Sequence, residues 1–170
     1  MDAVLRGRAR RYGDDITTDA IMPSRYLASY LPPEQLATHA LEGADAGFAR
    51  RVERGDIVVG GKNFGCGSSR EEAVIGLQAT GISAVVAESF GRIFYRNAIN
   101  RGLLVMECPG LGDRITEGDE LELRPREGVL RDLTRAEELR VRPLTSTAAA
   151  ILEAGGLLPY VKARIRSSEV

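Results

Sequence analysis

The sequence predicts an α/β fold, a mixed sheet with flanking helices, and three observations predict it. Apolar strand-like runs alternate with helix-like stretches between Ile57 and Met106, and the order strand, helix, strand, helix, strand implies parallel pairing through right-handed crossovers. Beyond Pro109 the pattern changes: residues 119–123 alternate apolar and charged side chains, and Gly128 separates them from residues 129–133, as in a half-exposed antiparallel pair. Gly, Pro and Asp punctuate the chain without a linker, an internal repeat or a shift of composition, so residues 1–170 read as one domain.

Taken in order, residues 11–31 show no sustained helical period, and Gly13, Asp14, Asp15 and Pro23 suggest turns around short extended pieces. Residues 33–41 read as a helix carrying His39, with Leu36, Ala37, Ala40 and Leu41 at compatible spacing and Pro33 in the first turn. Residues 57–59 form a short apolar strand that ends in glycine, and the run from Gly60 to Gly67 cannot hold a helix. Ser68-Ser69-Arg70-Glu71 then reads as a helix start, with Ser68 as cap and Glu71 as its capping-box partner. A strand over 82–87, a helix over 92–101 and a strand over 103–106 follow. The tail from 147 to 166 reads as helical, broken near Gly155-Gly156 and Pro159.

Composition limits the function classes. Of the 170 residues 44% are hydrophobic, enough for a proper core, and 23 Lys and Arg stand against 24 Asp and Glu. That balance removes any global electrostatic case for nucleic acid or for a membrane surface. Cys66 and Cys108 are too few for a disulfide framework, and no Cys/His cluster offers a metal site, so the expectation is no metal in this chain. Residues 1–8 lack the apolar core of a signal peptide and no stretch approaches a membrane span, which points to a soluble, cytoplasmic protein.

The strongest chemical signal is the strand, glycine loop and helix start at 57–72, where free amides and close glycine backbone suit an anion. Arg70 in a first helical turn opposes the macrodipole unless an anionic ligand completes the site. A P-loop is excluded because Gly65 is followed by Cys66 and Gly67, and no Gly-x-Ser-x-Gly elbow is present. On this pattern alone Ser68 reads more readily as a cap than as a base. An alcohol becomes a base only with amides, a helix terminus and a guanidinium to stabilise its alkoxide, and all three are candidates here. Cys66 reads as a tolerated small residue, Cys108 as inert, and His39 as a surface histidine with no acidic motif beside it. Arg92, Arg96 and Arg101 read as the solvated basic face of an amphipathic helix.

Three ordered motifs carry a resemblance: Gly13-Asp14 with Thr18-Asp19-Ala20-Ile21 and Pro23, then Gly61-Lys62-Asn63-Phe64-Gly65-Cys66-Gly67-Ser68-Ser69-Arg70-Glu71, then Arg92-Ile93-Phe94-Tyr95-Arg96-Asn97. Together they resemble the small subunits of 3-isopropylmalate dehydratase, in the aconitase superfamily, over nearly the whole chain. The resemblance implies a swivelling β/β/α domain that covers an active site carried mostly by a separate large subunit, in a heterodimer or heterotetramer. It implies a [4Fe–4S] cluster in that partner, acting as a Lewis acid, and none in this chain. It implies a hydro-lyase of leucine biosynthesis in which Ser68 is the base and Asp19 the active-site aspartate, with Ser69 and Arg70 as supporting and carboxylate-binding neighbours. Arg25, Leu27 and Ala28 fall in its substrate loop. Relatives that act on an extra carboxylate, such as homoaconitase, place an arginine shortly after the Tyr-Leu pair, whereas Tyr26-Leu27 is followed here by Ala28-Ser29. An alkylmalate substrate is therefore expected; homoaconitase or another alkylmalate dehydratase, and a non-catalytic anion-binding domain, are the alternatives.

Overall fold

The strand on which the sheet turns lies in a segment whose hydropathy predicts none. In the computed structural model of the chain, which describes residues 4–27 and 30–168, β1 (Leu5–Arg11) runs parallel to β2 (Ile57–Gly60), with Ala9 beside Ile57. Next to β2 come β3 (Ala84–Ala87) and β4 (Val105–Glu107), also parallel. On its other side β1 pairs antiparallel with β5 (Glu120–Arg124), which continues into β6 (Val129–Asp132) and β7 (Glu137–Arg140). The order is β4-β3-β2-β1-β5-β6-β7, so β1 is where the parallel and antiparallel halves meet.

Four of the seven β1 residues are arginine, which hides the strand from any period-2 reading of hydropathy. Arg6, Arg10 and Arg11 are paired with carboxylates distant in sequence. Arg10 donates through Nε to Asp56 Oδ2 at 2.7 Å, through Nη2 to the Arg51 carbonyl and through Nη1 to Glu117. Arg6 bonds the buried Glu122 at 2.6 Å, and Arg124 and Arg6 together lower the Glu122 carboxyl to about 2.

Alternation along the parallel strands splits the core in two. Val58, Val85 and Val105 face helices α4 (Glu71–Ala79) and α5 (Arg92–Arg101), packing on Val74, Leu77, Phe94 and Ala98. Ile57, Val59, Ala84 and Val86 face the other way and share one cluster with Leu121, Leu123, Leu130 and Leu139. The antiparallel half therefore curls beneath the parallel half, and the helices stay on the opposite face. Among the described residues no helix is long and apolar enough to cross a membrane.

The elements differ from expectation at their ends. The entry segment contains a short helix, α1 (Thr18–Ile21), and a 3₁₀ turn over Ser24–Tyr26. Helix α2 (Pro33–Ala37) stops before His39, which sits in the turns that follow. A further short helix, α3 (Phe48–Arg51), precedes β2. The tail divides into α6 (Ser146–Glu153) and α7 (Leu157–Ser168) at Gly155-Gly156 alone, because Pro159 falls in the first turn of α7, where its missing N–H costs nothing. On α5 the inner face is Phe94, Ala98 and Ile99; Ile93 joins the exposed side, and Arg101 lies 3.5 Å from Glu71.

Asp56 carries the junction: it is 2% exposed and accepts from Arg10, from the Arg8 amide and from the Glu53 amide. Asp56→Ala removes the buried carboxylate of the pair and leaves Arg10 with only the longer Glu117 contact at 3.3 Å as counter-ion, and is expected to cost about 3 kcal/mol. Urea unfolding should show a lower midpoint at unchanged slope, and a midpoint equal to wild type would mean the Arg10–Asp56 pair holds nothing.

Candidate active site

The glycine loop turns where only glycine turns easily. Gly65 and Gly67 have φ of +76° and +102°, and a Cβ on Gly65 would lie 2.3 Å from the Phe94 ring. The loop is stitched to the entry segment by backbone bonds, Gly65 N–H to the Ile16 carbonyl at 2.7 Å and Thr18 N–H to the Cys66 carbonyl at 2.8 Å. Asp14 and Asp15, read from sequence as turn formers, serve this docking: Asp14 accepts from the Lys62 amide and Asp15 from the Asn63 side chain. Buried Thr18 adds a third tie, its Oγ1 donating to the Ser68 carbonyl at 2.9 Å. Residues fifty positions apart thus meet at one point.

At that point the capping box expected from Ser68 and Glu71 does not form. Helix α4 starts at Glu71 with Arg70 at its N-cap and no side-chain capping bond. The Ser68 hydroxyl instead accepts from Arg70 Nε at 3.0 Å. The same guanidinium donates through Nη1 to the Met22 carbonyl at 2.9 Å and to the Asp19 carboxylate. Asp19 also accepts from the Ser24 amide at 3.0 Å. Hydrogen bonds from Arg70 first, then from Ser24, hold the Asp19 carboxyl below its usual range. Arg70 is only 14% exposed in its side chain and Asp19 is 60% exposed, so a largely covered cation presents an open carboxylate and hydroxyl.

Of the other residues predicted for the site, Ser69 is exposed and joins no hydrogen bond among the described residues. Leu27 closes the 3₁₀ turn, half-buried against the helix-side core. Arg25 stands apart from the cluster, paired with Glu42 at 2.5 Å. Ala28 lies outside the described residues. Cys66 is half-exposed in the loop, and Cys108 is buried, its thiol pushed up to about 11 mainly by burial. Among the described residues no group of three or more His, Cys, Asp or Glu is placed to hold a metal ion. Sequence reasoning named Thr18 within a motif without a role of its own, and missed Met22 and Glu42. Glu42 lies three residues after His39, its Oε2 2.7 Å from Nδ1, so the histidine does have an acidic neighbour.

Chemically, the cluster can hold a carboxylate and poise a hydroxyl. The Nη2 edge of Arg70 makes no hydrogen bond among the described residues, leaving donors for an anion. The adjoining positive charge lowers the cost of an alkoxide at Ser68.

Comparison with known proteins finds relatives over nearly the whole chain. The Aconitase C-terminal domain family matches residues 30–110. The isopropylmalate/citramalate isomerase small subunit of Methanocaldococcus jannaschii is 51% identical over 169 residues, 99% of this chain and 100% of that protein. The 3-isopropylmalate dehydratase small subunit 1 of Methanopyrus kandleri is 54% identical over 95% of each chain. A crystal structure of 3-isopropylmalate dehydratase from Methanocaldococcus jannaschii superimposes with a TM-score of 0.93 at 42% identity, over 99% of this chain and 100% of the other.

Arg70→Ala should return the Asp19 carboxyl toward its ordinary value of 3.8. Since the native value is the lower one, the interaction is present above the unfolded value and is lost as pH falls through the native one. An NMR titration of the Asp19 carboxyl in both proteins checks this; identical midpoints would show that Arg70 does not set the charge of Asp19.

Proposed function

Because this chain belongs to the family of 3-isopropylmalate dehydratase small subunits of the aconitase superfamily, we propose that it supplies the base and part of the substrate site for interconverting 2- and 3-alkylmalates. The reaction is a loss and readdition of water, a hydro-lyase step of leucine biosynthesis in the cytoplasm. Residues 1–170 act as one swivel domain closing over a large subunit, in a heterodimer or heterotetramer. That partner holds the [4Fe–4S] cluster, which when bound supplies Lewis-acid assistance to the departing hydroxyl.

This chain's residues do the proton work. The carboxylate of the substrate docks on the free edge of Arg70, with Ser69 beside it, so that the carbon next to it faces Ser68 Oγ. As alkoxide, Ser68 takes the proton from that carbon and becomes the neutral hydroxyl, while the hydroxyl leaves the neighbouring carbon as hydroxide and becomes water with a second proton drawn from solvent or from an acid of the large subunit, giving the alkene. Readdition runs the steps backward with hydroxyl and proton exchanged between the two carbons, and Ser68 returns the proton. Asp19 keeps Arg70 aimed and its own charge negative. Leu27 and, by its place in the sequence alone, Ala28 are the residues expected to meet the alkyl group, which a buried carboxylate could not replace without a partner.

The observation that carries this reading is the single guanidinium touching both Ser68 Oγ and Asp19. A capping serine would bond its helix amides, and this one does not. A second substrate, citramalate, is favoured by the name of the Methanocaldococcus jannaschii relative.

Ser68→Ala, assembled with the large subunit, is expected to lower kcat by about 10²–10⁴-fold while thermal unfolding stays near wild type. Near-normal turnover would leave the hydroxyl without a catalytic role. Purified alone, the chain should be colourless, iron-free and inactive on 2-isopropylmalate; full turnover without a partner would end the two-subunit reading, and no turnover with one would favour the non-catalytic alternative.

A further inference from the structure

Beside the catalytic cluster lies a second one that the proposed reaction does not use. Glu42 sits at its centre. Its Oε1 accepts from Arg25 Nη2 at 2.5 Å and from the Tyr26 hydroxyl at 3.1 Å. Its Oε2 takes the same hydroxyl at 2.8 Å and lies 2.7 Å from His39 Nδ1. The rings of Tyr26 and His39 stack at 3.8 Å, and the Arg25 guanidinium lies 4.7 Å over the Tyr26 ring. A carboxylate has about four acceptor positions, so Glu42 is close to saturated.

The cluster is mechanically joined to the catalytic one. Ser24, which precedes Arg25, gives its amide to Asp19, and Met22, two residues earlier, gives its carbonyl to Arg70. Leu27 follows Tyr26 directly and is the last described residue before positions 28 and 29. Arg25 is therefore a cation at the root of the proposed alkyl-recognition loop, with 60% of its side chain exposed. Without its counter-ion it would offer a planar pair of donors to any second carboxylate on the substrate side chain.

We propose that Glu42 is a specificity-determining positioning residue: by engaging Arg25 it removes the one cation at the loop root from substrate recognition, so that side chains without charge are favoured over side chains with a carboxylate. The inference rests on the dehydratase reading above. Glu42 touches no substrate; it acts through Arg25, and its hold on Tyr26 and His39 keeps the guanidinium turned back onto the aromatic ring.

The test uses the small subunit assembled with its large subunit, and two tertiary alcohols, 2-isopropylmalate with an uncharged isopropyl side chain and homocitrate with a carboxyethyl side chain. Glu42→Gln keeps the size but loses the charge, and should lower the ratio of kcat/KM for isopropylmalate over homocitrate by about tenfold or more, chiefly through a lower KM for homocitrate. Glu42→Asp, which keeps the charge, should stay within about threefold of wild type. Adding Arg25→Ala to Glu42→Gln should restore the ratio, an outcome that a merely structural role of Glu42 does not produce. The inference is overturned if Glu42→Gln lowers both substrates equally, if the ratio is unchanged, or if the double substitution fails to restore it. A wild-type assembly that turns over neither substrate would instead bring down the dehydratase reading on which the inference stands.

Discussion

The guanidinium of Arg70 is the constraint around which the functional half of the molecule is arranged. With its side chain only 14% exposed, it must place its donors or lose a charge-assisted bond for each one left unmade. Three acceptors meet it: a hydroxyl from its own loop, a carboxylate and a backbone carbonyl from the entry segment about fifty residues earlier. Only a planar group with donors fixed at several angles reaches all three, which a lysine ammonium at the end of a flexible stem does not match. The rest of the loop geometry serves that convergence. The two left-handed glycines, the Thr18 bond to the Ser68 carbonyl and the paired backbone bonds bring the entry segment close enough for one side chain to span both.

The sheet explains why the convergence occurs at this end of the fold. Strands β2 and β3 end side by side, and the loops that follow them touch: the Phe64 amide bonds the Ser89 carbonyl, and the Gly91 amide returns to the Phe64 carbonyl. Sites in parallel sheets gather beyond the carboxyl ends of the strands because that is where successive loops converge. Strand β1 ends at the same edge, next to β2, and delivers Tyr12 and the Asp14–Asp19 stretch directly onto the glycine loop. The antiparallel strands take no part in this edge and instead close the second core, so site and packing are divided between the two halves of one sheet.

How much of this is legible in the sequence depends on whether the signal is local. The parallel units from Ile57 to Met106 are marked by their own apolar runs and glycines, and they stand where the pattern puts them. Strand β1 is marked by nothing local, because its arginines break the apolar alternation and the buried one, Arg10, is made compatible with burial only by Asp56 and Glu117 from elsewhere in the chain. Strand β7 is a short charged edge strand whose partner, β6, supplies most of the reason for it. The capping box fails for the same kind of reason. Ser68 and Glu71 satisfy the local rule, and a guanidinium two residues on, held in place from the entry segment, claims the hydroxyl first. The residues Ser68, Arg70 and Asp19 were legible as a set only through resemblance; their contact is a tertiary fact.

The exposure of the site carries the final step. Ser68 and Asp19 both face outward, in water, where an alcohol is far too weak an acid to be ionised by one neighbouring cation. The same cation at the same 3.0 Å becomes far more effective once solvent is excluded, because the Coulomb energy of a charge pair grows as the surrounding dielectric falls. The chain presents its hydroxyl and its carboxylate on an open surface, which is the arrangement the proposed two-subunit reading requires. The polar groups are fixed beforehand by the loop and the entry segment, and what a covering surface has to add is the removal of water. On the two-subunit reading proposed above, the polar geometry belongs to this chain and the partner's part is to exclude water from it.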